Sequence, residues 1–202
     1  GDVFAGYLAK QMGLPIDKLI VATNENDILH RAISKGDYIS KEVIETLSPS
    51  MDIQLASNFE RLIYYINNSD TSKTAGIMKK IKQNTYQIEK DNLEIIQKDF
   101  LSETCNEQET LSIIRKYYEE NNIILDPHTA VGVGAANKLS FNDSVVLSTA
   151  HPCKFPDATN DAINKHEELP EELQHVLNKD ENFTVLNNNT EEVKNFVKSM
   201  FR

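Results

Sequence analysis

Leu19-Ile20-Val21-Ala22 is a run of four apolar residues with no polar alternation. A strand with one wet face alternates, whereas an unbroken run reads as a strand covered on both faces, the pattern of a parallel sheet. Parallel strands need crossover connections, usually helices, and both flanks of this run carry helical spacing. Before it, Val3, Phe4, Tyr7, Leu8 and Met12 recur at helical intervals, with Gly13 as the stop. After it, Ile28, Leu29 and Ile33 extend the pattern to Gly36, with Thr23 or Asn24 placed to cap. Helix, buried strand and helix in succession commit the chain to a layered α/β fold with a largely parallel sheet and flanking helices.

The remaining segments fit that frame. Ser57-Asn58-Phe59-Glu60 has capping-box spacing, and Leu55, Phe59, Leu62, Ile63 and Ile66 form one stripe, which predicts a helix over 57–67. Apolar residues spaced among lysines predict two further helices around Tyr86-Gln87-Ile88, a peripheral helical segment near 70–100. Thr104-Cys105-Asn106-Glu107 repeats the box before a helix through Leu111, Ile114, Tyr117 and Tyr118, and Ile123-Ile124-Leu125 has room for a turn of strand. Val145-Val146-Leu147 reads as a second buried strand closing on Ser148-Thr149. The tail predicts a helix opening at Pro170, a strand near Phe183-Thr184-Val185-Leu186, and a helix capped by Thr190 with Val193, Phe196, Val197 and Met200 inward.

Composition narrows the function. With 202 residues, 40% of them hydrophobic, the chain has material for one domain with a real core. Lys plus Arg number 21 against 31 Asp plus Glu, a net charge of −10, which argues against nucleic acid as a partner. No apolar run approaches the roughly 18 residues of a membrane span. Two cysteines suggest a reducing, cytoplasmic setting, and the five histidines show no zinc-ligand spacing, so no metal is expected. The chain opens on Gly1-Asp2-Val3-Phe4 without methionine, as the interior of a longer protein would.

In open α/β sheets ligands bind beyond the carboxyl ends of the strands. That rule singles out Thr23 and Asn24, then Ser148, Thr149 and His151. Gly1-Asp2 opens a helix, whose free amides and dipole favour an anion, though an ordinary cap has the same sequence. Asp126-Pro127-His128-Thr129-Ala130-Val131-Gly132-Val133-Gly134 is rich in small residues, as either close helix packing or the wall of a ligand pocket would be. Cys153 lies in the same crevice segment, where a buried structural thiol is the commoner state.

Six separated segments then carry a resemblance: Gly1-Asp2-Val3-Phe4-Ala5-Gly6-Tyr7, Ala22-Thr23-Asn24-Glu25-Asn26-Asp27-Ile28-Leu29, Leu47-Ser48-Pro49-Ser50-Met51-Asp52-Ile53, Ser57-Asn58-Phe59-Glu60-Arg61-Leu62, Asp126-Pro127-His128-Thr129-Ala130-Val131-Gly132 and Ser148-Thr149-Ala150-His151-Pro152. In this order, from residue 1 to about 160, they resemble the threonine synthase family. The resemblance implies a tryptophan-synthase-like (fold type II) enzyme using pyridoxal phosphate to convert O-phospho-L-homoserine and water to L-threonine and phosphate. It implies that residues 1–202 are the C-terminal part of that α/β domain. The lysine that holds the cofactor as a Schiff base would lie in an N-terminal half of the same protein, leaving this portion inactive alone. By the same resemblance Gly1 and Asp2 end the cofactor-phosphate loop, the backbone rather than the Asp2 carboxylate binding the anion, and Thr149 bonds the pyridine nitrogen. Two other readings stay open: a threonine-synthase-like phospholyase that yields a keto acid, and an α/β module that binds a partner without chemistry.

Overall fold

The computed structural model describes residues 1–141 and 143–201 and divides into two compact units, Gly1–Glu168 and Leu169–Arg202. In the first unit α1 (Asp2–Gln11) leads to β1 (Leu19–Thr23), followed by α2 (Ile28–Lys35), a 3-10 turn at Pro49–Met51 and α3 (Phe59–Ile66). Helices α4 (Thr71–Lys82) and α5 (Lys90–Asp99) run into β2 (Phe100–Thr104), and α6 (Glu107–Asn121), α7 (Pro127–Lys138) and α8 (Pro156–Ile163) complete the unit.

The two strands pair in parallel, from Leu19 opposite Phe100 to Thr23 opposite Thr104. Cys105 N–H donates to the Thr23 carbonyl at 2.9 Å, carrying the ladder one step further. Burial alternates along β1, with Leu19, Val21 and Thr23 buried and Ile20 and Ala22 partly covered, so one face is dry and the other is half open. Sequence reasoning expected cover on both faces. It also missed β2, whose Phe100-Leu101-Ser102-Glu103-Thr104 lacks an apolar run; pairing with β1, not propensity, makes it a strand.

Val145-Val146-Leu147 forms no strand: the segment is irregular, with Val145 91% and Leu147 54% exposed. An apolar run becomes a strand only when a neighbour takes its N–H and C=O groups, and among the described residues the sheet has two strands. Ile123-Ile124-Leu125 is likewise irregular and leads into α7.

The main core gathers Leu19 and Val21 from β1, Ile28, Ala32 and Ile33 from α2, and Phe59, Leu62, Ile63 and Ile66 from α3. Tyr38 stacks on Phe59 with ring centroids 4.6 Å apart and planes 9° apart. The helical pair over 71–99 adds Ile77, Ile81, Tyr86, Ile88 and Ile96 to this same cluster. A second cluster joins Ile114 of α6, Ala130 of α7, and Ala158 and Ala162 of α8. Arg31, 6% exposed, braces the end of α2: its guanidinium donates to Asp27 Oδ1 at 2.8 Å, Asp37 Oδ2 at 2.5 Å and the Ile39 carbonyl at 2.8 Å.

Three cap assignments differ from the sequence expectation. Asp27, not Thr23 or Asn24, is the N-cap of α2, because the Asn24 side chain is engaged elsewhere. Asn58 precedes α3 without any side-chain cap bond, and Leu55 of the expected stripe is 57% exposed. The capping box of α6 is Asn106 with Glu109, two residues beyond the expected one, since Thr104 still belongs to β2.

The second unit holds α9 (Glu171–Gln174), a 3-10 turn at His175–Asn178 and α10 (Thr190–Met200). The strand expected near Phe183 is irregular chain, with Phe183 71% and Val185 82% exposed. Asn189 rather than Thr190 caps α10, its side chain accepting from the Glu191 and Glu192 amides. The expected inward stripe is not buried: Val193, Val197 and Met200 are 43%, 47% and 68% exposed. The unit's other helix is a single turn that buries nothing, too small to cover that face.

Candidate functional site

The carboxyl end of β1 opens onto a dense polar knot. Asn24 Oδ1 accepts from the Asn26 amide at 2.9 Å, which folds the chain back over the strand end. Asn24 Nδ2 lies 2.7 Å from Asp52 Oδ1, 2.8 Å from Thr46 Oγ1, 2.9 Å from Ser48 Oγ and 3.4 Å from the Ser48 carbonyl, so two hydrogens are shared among four oxygens. Asn26 clasps the backbone of Ile44 from both sides, donating to its carbonyl at 2.8 Å and accepting from its amide at 2.9 Å. Asp52 Oδ2 takes the Thr46 amide at 2.9 Å. These bonds pin the loop 44–52 to the strand end. Nearby, Thr23 Oγ1 is buried with no hydrogen-bond partner among the described residues.

The start of α7 lies against the same loop. Pro127 occupies the first helical position, where its missing N–H is no loss, and Asp126 caps the helix. The Asp126 side chain is buried, 1% exposed. Its Oδ1 accepts from the His128 amide at 2.9 Å and from His128 Nδ1 at 3.0 Å, and its Oδ2 accepts the Thr129 hydroxyl. Burial alone would push this carboxyl up, but the bonds from His128 and Thr129 outweigh it and hold Asp126 below the usual carboxylate range. His128 Nε2 accepts from the Ser50 amide at 3.2 Å, reaching the 3-10 turn, while its ring rests on Phe155 with centroids 4.6 Å apart. Thr129 Oγ1 accepts from the Thr149 amide at 3.4 Å.

The residues singled out by sequence fall into two places. Gly1 caps α1 with no side-chain bond to the helix, and Asp2 is exposed in the first turn. A Cβ built on Gly1 would sit 3.5 Å from Asn58 Nδ2, so the helix start neighbours the head of α3. Thr149 lies on the segment beside α7 with its side chain exposed. Among the described residues no hydrogen bond joins Gly1 or Asp2 to Thr149. His151 turns to a local task, its Nδ1 accepting from the Cys153 amide at 3.2 Å to cap the turn Pro152–Lys154. Ser148 and His151 also line a cavity of about 510 Å³ with Tyr118 and Lys165, the Lys165 ammonium standing 4.5 Å above the Tyr118 ring. Among the described residues no cluster of His, Cys, Asp or Glu could hold a metal ion, and no helix is long and apolar enough to cross a membrane.

The small-residue run of α7 is explained by packing: a Cβ on Gly134 would meet Cys105 Sγ at 2.5 Å. Sequence reasoning placed Asp126 and His128 on a possible pocket wall but did not find their bonds to Ser50 and Thr129. It missed Asn26, Thr46 and Asp52 altogether as a linked set. The short polar residues clustered over 23–27 and 46–52 were the available signal.

Comparison with known proteins gives the family. A family model described as threonine synthase, C-terminal, matches residues 129–197. Threonine synthase of Saccharomyces cerevisiae is 45% identical, over 87% of this chain and 40% of the yeast protein. Threonine synthase of Pseudomonas aeruginosa is 41% identical, over 98% of this chain and 43% of that protein. The crystal structure of a pyridoxal-phosphate-bound threonine synthase from Brucella melitensis superposes with a TM-score of 0.85 at 40% identity, covering 100% of this chain and 44% of its own. The chain thus spans about two fifths of the length of the relatives it matches. On the matched family model, the extent of the identities and the shared fold, this chain belongs to the threonine synthase family and corresponds to its C-terminal portion.

Proposed function

We propose that this chain is the C-terminal portion of an enzyme that converts O-phospho-L-homoserine and water to L-threonine and phosphate with pyridoxal phosphate. The observation that carries this reading is the likeness, over the whole chain, to a threonine synthase solved with pyridoxal phosphate bound. The donor set here suits that group. The first turn of α1 has no side-chain cap, so its amides are free for a phosphate, which the helix dipole also favours. The exposed Thr149 hydroxyl offers a neutral partner for a ring nitrogen. When bound, pyridoxal phosphate supplies an electron sink for bonds broken at the substrate.

In this reading Gly1 and Asp2 hold the cofactor phosphate through backbone N–H groups, and the exposed Asp2 carboxylate turns to water. Thr149 Oγ1 meets the ring nitrogen. A hydroxyl, unlike a carboxylate, does not hold a proton on that nitrogen, which makes the sink milder and suits elimination and replacement at the far carbons. An N-terminal half of the same protein carries the lysine that anchors the cofactor, and residues 1–202 alone do not turn over. Both cysteines are free, in keeping with a reducing compartment, and we place the enzyme in the cytoplasm.

The test is product identification with the full-length protein, pyridoxal phosphate and O-phospho-L-homoserine. Equimolar phosphate and L-threonine is the expected result. Phosphate with a keto acid would make the enzyme a phospholyase, and absence of both products would overturn the reading.

A further inference from the structure

The Asp126 carboxylate is buried without a Lys or Arg partner among the described residues. A helix cap needs one oxygen, and Asn or Ser would supply it without burying a charge. Both oxygens of Asp126 are nevertheless engaged, each by a group that can donate or accept. A carboxylate only accepts, so it fixes the direction of both. The Thr129 hydroxyl must give its hydrogen to Oδ2, which leaves lone pairs for the Thr149 N–H. His128 must carry its hydrogen on Nδ1, which leaves Nε2 to accept from the Ser50 N–H. Each relay is a polarised chain ending on a charge, stronger than its separate links.

We propose that Asp126 is a positioning residue that, through Thr129, fixes the backbone at Thr149 and, through His128, fixes the turn at Ser50, so that one buried carboxylate sets two backbone segments against the start of the helix it caps. The link to catalysis rests on the reading of Thr149 given above. Asp126→Asn separates the two relays. The asparagine oxygen keeps the His128 side, where the helix amides donate, and its NH2 then faces Thr129. The Thr129 hydroxyl then accepts on that side, and no carboxylate any longer draws its hydrogen away from the Thr149 N–H, so the Thr149 relay loses its fixed direction and its charge while the Ser50 relay survives.

The experiment uses the full-length holoenzyme and reads amide hydrogen exchange at Thr149 and Ser50, the absorption spectrum of bound pyridoxal phosphate, and kcat against KM. In Thr129→Val the Thr149 amide should exchange about tenfold faster, the loss of one hydrogen bond, and in Asp126→Asn it should exchange faster by a smaller factor, the weakening of that bond, with Ser50 unchanged in both. The cofactor band should move in the direction produced by Thr149→Val, and kcat should fall by about tenfold with KM within about twofold. Thr129→Ser, which keeps the hydroxyl, should restore all three. Asparagine is itself a good cap, so Asp126→Asn keeps the test open where Thr129→Val does not fold. Unchanged Thr149 exchange and cofactor spectrum in Asp126→Asn, with a spectrum altered by Thr149→Val, would overturn the inference and leave the Thr149 reading standing. A spectrum untouched by Thr149→Val would overturn that reading, and the inference with it.

Discussion

Gly134 shows how closely α7 is fitted to its surroundings. An added Cβ would lie 2.5 Å from Cys105 Sγ, 3.0 Å from Ile113 Cδ1 and 3.1 Å from Cys105 Cβ, and the Cys105 side has no room to yield because that residue is fully buried. Gly134→Ala in the full-length protein should therefore be destabilising by about 1–3 kcal/mol in urea unfolding, the usual range for overpacking. Cys105→Ala, which removes the sulfur but not its Cβ, should recover only part of that loss in a double-mutant cycle. Full additivity would show that the two residues do not meet. Asp126 allows a second test, in pH. Its carboxyl is held below its ordinary value of about 3.9, so its contribution is complete above that pH and is lost as pH falls through the lower folded value. The stability gap between wild type and Asp126→Asn, on the order of 1–3 kcal/mol at pH 7, should stay level down to about pH 5 and shrink below about pH 4. A gap that widens on acidification would mean that burial, which raises the carboxyl, prevails over the bonds from His128 and Thr129.

Among elements, the box at the head of α6 is the clearest local device: Asn106 accepts from the Glu109 amide at 2.9 Å and Glu109 returns to the Asn106 amide at 2.8 Å. Glu109 also pairs with Lys138 of α7 at 2.8 Å, so the cap ties two helices together. Asn106→Ala should lower stability by about 1 kcal/mol in chemical denaturation, and Asn106→Asp should restore most of it; equal loss in both would mean the side chain does not cap. This element also shows what was legible. Helical spacing located α1, α2, α3, the pair α4 and α5, α6 and α10, because apolar residues recurring every three or four positions leave a record in sequence. The exact caps did not, because which of several polar residues bonds the first amides depends on where the preceding strand stops. Thr104 has the right type and spacing, but its backbone is committed to β2. The strand β2 was invisible for the matching reason: Phe100 is its one fully buried residue, and partnership with β1 supplies the rest. The site was legible as a place, at the strand's carboxyl end and the start of α7, but its wiring was not. Bonds such as Thr149 to Thr129 join segments 20 residues apart, with no spacing rule to announce them.

For the molecule as a whole the informative mismatch is between a well-covered core and an under-built sheet. Leu19, Val21 and Phe100 are each buried to 9% exposure or less, yet the ladder has two strands among the described residues, and two-stranded sheets are marginal in water unless packed. Val145-Val146-Leu147 has the composition of a central strand and the exposure of a surface loop. Sequence reading and structure are reconciled if the partner of this segment lies in the N-terminal half proposed above, since apolar β-formers stay irregular when nothing accepts their amides. Hydrogen exchange decides the point. In residues 1–202 produced alone, amides 145–147 should exchange at nearly the rate of unstructured chain, while those of β1 are protected by β2. In the full-length enzyme the amides of 145–147 should become about as protected as those of β1, a slowing of several orders of magnitude for a buried ladder. Equal, fast exchange in both proteins would show that this apolar run is not a strand in either. The enzyme's sheet would then be completed elsewhere, and Thr149 would owe its place to the Thr129 hydroxyl alone.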